Sequence, residues 1–406
     1  MRLFLPLLAA LIFSGSPLRA EDTSEVAAFQ DENVAKIVKA AKSGHPEAQY
    51  QIGVMYLRGK AVEQDDAQAV SWLTKSAKQG YAPAQNRLGM MYSGGYSVDR
   101  DEAEARRWFS KAAEQGLAEG QRNLAFSYAQ EATPDFSAAR RWYENAAAQG
   151  DAESQYQLGL FSSQGCGGKP DREEARAWYL KAAKGGHVEA AHALAEMYYA
   201  DGSFTQALTW FKISARLGHA PAQERLAEIY EEGRGAPKDA VQAWKWRQLA
   251  AQGGDPGAQY LVGQAYHLGL SGVDKNSVHA LEWYKRAAEQ GEPRAAYALA
   301  LMYRGGEVKA PADGEAGRWI QRAAVQGLPE AQHALGLMYE NGQDGVPLDW
   351  VKACAWMTMA VEQGYQVDRK SLDDLKSQLT GEELGRVVAE IRRHQPPQPL
   401  VPAERR

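Results

Sequence analysis

A phrase of thirteen residues recurs along this chain. Residues 44–56 read GHPEAQYQIGVMY, and closely similar phrases occupy residues 80–92 and 327–339. Ten glycines mark the same point of the phrase at intervals of 32 to 37 residues and enclose nine complete units. They are Gly44, Gly80, Gly116, Gly150, Gly186, Gly218, Gly254, Gly291, Gly327 and Gly364. Self-similarity at such a period is typical of a repeat architecture, in which neighbouring units complete one another's core.

Each unit carries the pattern of two helices. Counted from the repeat glycine, position four is small, position eight aliphatic, position nine Gly or Ala, and position twelve Tyr in eight of nine units. These positions share one helical face. Trp stands eight residues before the next glycine in every unit, with Ala three residues before it. This second face ends at the glycine, which tolerates a left-handed conformation. The strict period of Trp predicts a core residue; sugar stacking is the alternative.

The pattern A-x-x-x-L-G-x-x-Y, followed by A-x-x-W-x-x-x-x-A-x-x-G, closely resembles the Sel-one-like repeat (SLR) family over residues 44–364. This family is a relative of the tetratricopeptide repeats. The resemblance implies an all-α fold, a right-handed α-solenoid superhelix of about nine helix-turn-helix repeats with helical caps. Residues 31–43 are predicted to be the N-terminal capping helix and residues 365–394 the C-terminal capping helices. Thr380 and Glu383 predict a capping box at the start of the last helix.

The two ends of the chain differ from the repeats. Residues 1–20 have a basic Arg2, an apolar run from Leu3 to Phe13 and small residues up to Ala20, which predicts a signal peptide. The apolar run is shorter than the roughly 20 residues of a membrane-spanning helix, so an uncleaved anchor is the less favoured alternative. Residues 21–30 are predicted to be a flexible leader and residues 395–406 a Pro-rich disordered tail. We therefore expect a periplasmic protein without a membrane span after cleavage, or a secreted one.

Charge and cysteine content restrict the partners. Removing residues 1–20 takes away two of the 46 basic residues and none of the 51 acidic ones. Such an acidic balance disfavours nucleic acid and anionic membranes as partners. The two cysteines, Cys166 and Cys354, lie five repeats apart, so no disulfide is expected between them. Cys166 stands in a Gly-rich loop as a candidate exposed thiol, whereas Cys354 is predicted to be buried on a helix.

The search for catalytic and metal-binding motifs favours a non-enzymatic protein. The sequence has no P-loop, no G-x-S-x-G elbow, no H-E-x-x-H and no paired Cys motif. We therefore predict no catalytic residue, no metal and no cofactor. Cysteine-rich SLR proteins are linked with β-lactam binding or hydrolysis, but their Cys pairs are missing here. His192 and Glu196 could share a metal, although solvated groove residues are the favoured interpretation. Met at position eleven of five repeats favours packing over a soft-metal stripe.

Candidate binding residues follow from the resemblance. In tetratricopeptide-like solenoids the first helix lines the concave face, which implies that positions 3, 6, 10 and 13 point inward. Aromatic and polar side chains at position six are natural contact residues for a protein partner. The candidates are Tyr50, Arg122, Tyr156, His192, Glu224, Tyr260, Tyr297 and His333. In repeats five and six the inward set also predicts an acidic patch for a basic segment of a partner, with a merely solvated surface as the alternative. The patch comprises Glu189, Glu196, Glu224, Glu228 and Glu231.

The function predicted from the sequence is an exported, non-enzymatic scaffold that binds a protein partner. SLR proteins commonly act as adaptors in envelope signalling, envelope assembly or exopolysaccharide export. A secreted factor that binds host proteins is the alternative. An enzyme acting on the cell wall or on β-lactams is less favoured, because the sequence contains no nucleophile constellation.

Overall fold

The computed structural model describes residues 23–366 and 369–394, and every regular element in these ranges is an α-helix. The predicted all-α fold is therefore confirmed. The helices are α1 Thr23–Lys42, α2 Pro46–Arg58, α3 Asp66–Lys78, α4 Ala82–Gly94, α5 Glu102–Glu114, α6 Ala118–Ala129, α7 Phe136–Ala148, α8 Ala152–Gln164, α9 Arg172–Lys184, α10 Val188–Ala200, α11 Phe204–Arg216, α12 Ala220–Glu232, α13 Ala240–Gln252, α14 Pro256–Leu268, α15 Ser277–Glu289, α16 Pro293–Arg304, α17 Glu315–Val325, α18 Pro329–Asn341, α19 Trp350–Glu362, α20 Arg369–Ser377 and α21 Gly381–His394.

The helices belong to two compact units, one ending at Gly185 and one starting at Gly186. The first unit contains α1 and the four helix pairs of repeats one to four. The second contains the pairs of repeats five to nine, followed by α20 and α21. Within each unit, helices that follow one another along the chain pack together. None of the described helices has the length and apolar character needed to cross a membrane.

The first helix starts earlier than the sequence predicted. It begins at Thr23, so residues 23–30 of the predicted leader are helical. Residues 23–42 contain no Pro or Gly that would end a helix, which accounts for the longer element. The predicted signal peptide, residues 1–20, and the predicted tail, residues 395–406, lie outside the described residues.

The repeat glycines end the second helices as predicted. All ten have φ between +85° and +98°, the left-handed region that favours glycine. At Gly80, the backbone N–H donates to the carbonyl of Ala77 over 3.0 Å. The N–H of Tyr81 then donates to the carbonyl of Ser76 over 3.3 Å. These bonds satisfy carbonyls at the end of α3 and turn the chain into α4.

The core is built on the aliphatic residue at position eight and on the residue that follows each Trp. Position eight is fully buried in all nine repeats, from Ile52 to Leu335. The prediction that Trp itself is the core residue is only partly right. Trp108, Trp319 and Trp356 are buried, while the other six repeat tryptophans are half-buried. The next residue is buried in every repeat: Leu73, Phe109, Tyr143, Tyr179, Phe211, Arg247, Tyr284, Ile320 and Met357.

The buried residue that follows Trp also explains the Gly at position nine. A Cβ atom placed on Gly89 would lie only 2.7 Å from ring atoms of Phe109. A Cβ atom at Gly89 would therefore require Phe109 or the two helices of repeat two to shift. The small residue lets the core ring rest directly on the backbone of the first helix.

Buried glutamines join successive repeats, a feature that the sequence analysis missed. The Gln85 side chain, at position five, donates from Nε2 to the carbonyl of Ala77 over 3.1 Å. Its Oε1 accepts from Gln115 Nε2 over 2.6 Å. We call this pair, Gln at position five and Gln just before the next repeat glycine, the glutamine clamp. It satisfies buried polar groups where one repeat meets the next. The clamp is present as Gln49–Gln79, Gln85–Gln115, Gln121–Gln149, Gln259–Gln290 and Gln332–Gln363.

The clamp is interrupted in the middle of the chain. In repeats four and six, Gln155 and Gln223 keep the bond to the preceding repeat, but Gly185 and Gly253 replace the second glutamine. In repeat five both glutamines are replaced, the second by Leu217. The buried Oε1 of Gln223 has no hydrogen-bond partner among the described residues. Repeat six therefore buries an acceptor that the clamp would have satisfied.

Two helices follow the ninth repeat. The N–H of Glu383 donates to Thr380 Oγ1 over 3.3 Å, and the N–H of Thr380 donates to Glu383 Oε2 over 2.9 Å. This is the predicted capping box at the start of α21. Helix α21 packs on α19. Its last residue, His394, stacks on Trp356 with 4.5 Å between the ring centroids.

Candidate partner-binding surface

Within each unit, the side chains at positions 3, 6, 10 and 13 stand on the first helices of the repeats, and we call them the first-helix face of that unit. The position-six residues predicted as contacts are half-buried in every repeat where they were named. Four of them, Tyr50, Arg122, His192 and His333, contact the residue that follows the next repeat glycine. Tyr50 lies 5.5 Å from Tyr81 between ring centroids. Arg122 pairs with Asp151 over 2.5 Å. Position six therefore also joins neighbouring repeats.

Position six also contacts the core residue of its own repeat. Ring centroids are 5.8 Å apart between Tyr156 and Tyr179, and again 5.8 Å between Tyr260 and Tyr284. One face of each tyrosine thus packs on the core while the rest stays accessible, which suits a contact residue that must keep a fixed orientation. The guanidinium of Arg294 lies 4.6 Å from the Tyr260 ring centroid, adding a cation at this point of the surface.

The remaining predicted aromatic contacts lie in repeats eight and nine. Burial raises the pKa of the half-buried Tyr297, which therefore keeps its phenolic proton at neutral pH. His333 stacks on Tyr365 with 5.3 Å between ring centroids. Burial lowers the pKa of His333, which favours the neutral imidazole.

The predicted acidic patch contains arginines as well as glutamates, and its binding of a basic segment stays a prediction. Arg225 donates from Nε to Glu196 over 2.8 Å and from Nη1 to Glu228 over 2.6 Å. Sequence reasoning overlooked this arginine, although it stands between two of the predicted glutamates. Two arginines pair with four of the five glutamates of the patch, so an excess of negative charge remains. Glu189, on the exposed side, has no arginine among its contacts in the described chain.

The second arginine comes from the core position. Arg247 occupies the place after Trp246 that is apolar in the other eight repeats. Its Nη2 donates to Glu224 Oε1 over 3.0 Å and to Glu231 Oε2 over 3.0 Å. The Arg247 and Glu224 side chains are only 9% and 16% exposed. Burial raises the pKa of the Glu224 carboxyl, against the opposing effect of Arg247. This is a buried ion network, and Glu224 has a structural role in addition to its place on the surface.

Two histidines lie beside Glu196 and Glu189 of the acidic patch. His192 lies 4.9 Å from His219 and 5.6 Å from Phe211 between ring centroids. Burial, together with His219, lowers the pKa of His192 to about 4. The buried Nδ1 of His192 has no hydrogen-bond partner in the described part of the chain, which is consistent with a neutral ring.

No metal centre is formed by the described residues. His192 Nε2 is 3.9 Å from Glu196 Oε1, and the described ranges contain no group of three or more His, Cys, Asp or Glu placed to hold a metal ion. The methionines at position eleven pack in the interior in three repeats, as Met91, Met302 and Met338. Cys354 is buried as predicted, Cys166 is half-buried rather than exposed, and neither is in a disulfide.

An apolar row on the first unit is a feature that sequence reasoning missed. Position ten carries Val54, Met90, Phe126 and Leu160 on α2, α4, α6 and α8, all half-buried. The sequence contains the signal for this row, because position ten belongs to the predicted inward set and is apolar in four successive repeats. In repeats five and six the same position carries Glu196 and Glu228. The first-helix face is thus apolar in the first unit and charged at the start of the second.

Tandem helix pairs that pack on their neighbours along the chain define a helical-repeat protein. Comparison with known families gives the same class. The Sel1 repeat model matches residues 46–81, 82–117, 118–151, 152–187, 188–219, 220–255, 256–292, 293–328 and 329–365. The chain therefore belongs to the Sel1 repeat family. Sel1 repeat proteins are generally protein-interaction scaffolds and are typically non-catalytic.

Two solved structures are similar to the chain over most of their own length. One is a protective antigen present in uropathogenic Escherichia coli strains that displays an SLR fold. It is 32% identical, with a TM-score of 0.55, over 88% of this chain and 85% of that chain. The other is a Sel1 repeat protein from Oxalobacter formigenes. It is 29% identical, with a TM-score of 0.52, over 59% of this chain and 96% of that chain. No curated protein matches the chain.

Proposed function

We propose that this protein is an exported, non-enzymatic scaffold that holds a protein partner on its first-helix face in the bacterial envelope. The family supports a scaffold role. The observation that carries the proposal is the half-buried apolar row of Val54, Met90, Phe126 and Leu160. Met90 and Phe126 pack partly on the core and leave the rest of their apolar side chains accessible. Accessible apolar side chains repeated along one face are typical of an interaction site. Export rests on the signal-peptide pattern of residues 1–20.

The first-helix face is apolar in the first unit and charged in repeats five and six, and the two units therefore suit different partner segments. An extended partner segment would place apolar side chains against the row of the first unit. The residual negative charge around Glu189 and Glu228 would favour Lys or Arg in a segment bound by repeats five and six. An adaptor role in envelope signalling, envelope assembly or exopolysaccharide export is the form of scaffold that we favour.

Photo-crosslinking in cells tests the scaffold function. A photoreactive residue would replace Met90 or Leu160 on the first-helix face, or the exposed Arg141 on α7 as the control. We expect one dominant adduct from the first two positions and none from the control. Leu160→Lys should weaken capture of the same partner by at least about tenfold, since a charge would enter an apolar contact. Equal adducts at all three positions, or none, would count against a partner site on this face.

A secreted factor that binds host proteins is the second candidate. It is favoured by the 32% identity to a protective antigen of uropathogenic Escherichia coli. Fractionation of cells that produce the full chain separates the two. Mature protein in the periplasmic fraction supports the envelope scaffold, whereas mature protein in the culture medium with an empty periplasm supports the secreted factor.

A further inference from the structure

The second helices of repeats five and six differ from those of five other repeats at the residue three after Trp. In five repeats a Lys or Arg three residues after Trp covers the indole ring. The distances from cation to ring centroid are 4.3 Å for Lys75–Trp72, 4.2 Å for Lys111–Trp108, 4.0 Å for Lys181–Trp178, 4.8 Å for Arg286–Trp283 and 4.7 Å for Arg322–Trp319. Repeats five and six carry Ile213 and Leu249 at this position, each 37% exposed. The cation over the ring is thus replaced by an exposed apolar side chain.

A second departure falls on the same two helices. The residue before the repeat glycine is Gln in six repeats, but it is Leu217 in repeat five and Gly253 in repeat six. Leu217 is 57% exposed. A Cβ atom on Gly253 would lie 3.4 Å from the Cβ of Ala220, which begins the helix after Leu217. The end of α13 therefore lies against the start of α12, three residues after Leu217, and the second glutamine of the clamp is missing in both repeats.

The tryptophans of α11 and α13 pack against one core cluster. Trp210 and Trp246 are half-buried and pack against the same core residues, which include Phe211 and Leu226. The Nε1 of Trp246 is buried without a hydrogen-bond partner among the described residues. Ile213 on α11, Leu217 just after its end and Leu249 on α13 are exposed apolar side chains of the two segments that carry these tryptophans. We call these three residues the outer patch.

Two cations stand at the edge of the outer patch. Arg216 lies three residues after Ile213, and Lys245 lies four residues before Leu249, so each shares a helix face with the patch. Both are exposed, and neither forms an ion pair with any residue of the described ranges. An apolar centre flanked by free positive charge complements an apolar stripe flanked by carboxylates.

We propose that the outer patch on α11 and α13 docks an amphipathic helix of a partner, with Asp or Glu beside its apolar stripe. Residues at helical spacing on the partner would cover Ile213, Leu217 and Leu249, as in helix-in-groove recognition. The carboxylates would pair with Arg216 and Lys245. This surface is separate from the first-helix face, so it would bind a second partner segment.

Residues of the other repeats define a variant that tests this proposal. The triple substitution Ile213→Lys, Leu217→Gln and Leu249→Arg gives the outer patch the residue types that other repeats carry at the same positions. Because those repeats fold with these residues, we expect an unchanged helical circular dichroism spectrum and melting temperature. Asn145→Lys, the same position in repeat three, is the matched control for added charge.

The probe is a fluorescein-labelled synthetic peptide of Leu, Ala and Glu with Leu at helical spacing. A second peptide replaces Glu with Lys, and a third has the first composition in scrambled order. Fluorescence anisotropy with the mature wild-type chain should show the Glu peptide binding at least about tenfold tighter than the other two. The triple variant should lose this binding, although it adds positive charge, and Asn145→Lys should keep it. Arg216→Glu with Lys245→Glu should transfer the preference to the Lys peptide.

Three results would overturn the proposal. The first is equal affinity for the three peptides, and the second is full binding by the triple variant. The third is a concentration-dependent dimer in sedimentation velocity that the triple variant abolishes, since the patch would then join two copies of this chain. None of these results bears on photo-crosslinking at Met90 or Leu160, so the two proposals fail independently.

Discussion

Repeats two and six have helices of equal length but bury different side chains against the first helix. Each first and second helix spans thirteen residues, and Leu88 and Leu226 fill the same buried position eight. Repeat two packs Phe109 on its first helix, whereas repeat six packs Arg247 there. The shared frame therefore tolerates an ion network in place of a ring.

The same two repeats differ at their boundaries. Repeat two closes with the Gln85–Gln115 pair, while repeat six leaves the Oε1 of Gln223 without a partner. Repeat two covers its Trp with Lys111, while repeat six exposes Leu249. The frame depends on the glycines, the small residues and position eight, and the other positions are free to carry surface chemistry.

The largest expected effect comes from breaking the ion network. Arg247→Tyr alone should lower the free energy of unfolding by about 3 kcal/mol, because Glu224 stays buried without its cation. The double variant Glu224→Tyr with Arg247→Tyr recreates the pair that Tyr260 and Tyr284 form in repeat seven. It should return to within about 1 kcal/mol of wild type or exceed it. Urea unfolding of the four members of this double-mutant cycle measures the coupling. A single variant as stable as wild type would show that the network is only a surface feature.

The second prediction concerns acid sensitivity. Position six is Asn86 in repeat two and His192 in repeat five, where burial and His219 lower the pKa of His192 to about 4. The unfolded chain binds a proton on this imidazole at its ordinary pKa of 6.5, whereas the folded chain does so only near 4. The contribution of the neutral His192 to the free energy of unfolding is therefore fully present above pH 6.5 and is lost as the pH falls toward 4. We expect a loss of about 2 kcal/mol of unfolding free energy over this window.

The substitution His192→Asn, which inserts the residue of repeat two, should remove this part of the pH dependence. Urea unfolding at several pH values, compared with wild type and with His45→Asn at an exposed position, isolates the effect from the carboxylates. Parallel pH profiles for wild type and His192→Asn would show that the imidazole is not held neutral by the fold.

The sequence predicted what the repeat period controls. Helix pairs, the left-handed glycines, buried position eight and the family all follow from residues that recur. The burial of the repeat tryptophans was overestimated, because the period alone does not say which of two adjacent residues, Trp108 or Phe109, points at the first helix. The ion network was missed for a related reason. Arg247 breaks the pattern once, and only the three-dimensional packing reveals that it reaches back to Glu224 and Glu231.

The smallest expected effect is a gain of stability at the repeat boundary. Gly253 has φ −71° and ψ −3°, so an L residue fits its backbone. Gly253→Gln would supply the second glutamine of the clamp and donate to the unpaired Gln223 Oε1, for a gain of about 1 kcal/mol in unfolding free energy. The reverse change in repeat two, Gln115→Gly, removes the bond to Gln85 and should cost about 1 to 2 kcal/mol. Urea unfolding of both variants measures the two changes in the free energy of unfolding. If Gln115→Gly destabilises while Gly253→Gln gives no gain, repeats five and six are joined in a way that the clamp cannot improve, and the regular repeats are then not a guide to their packing.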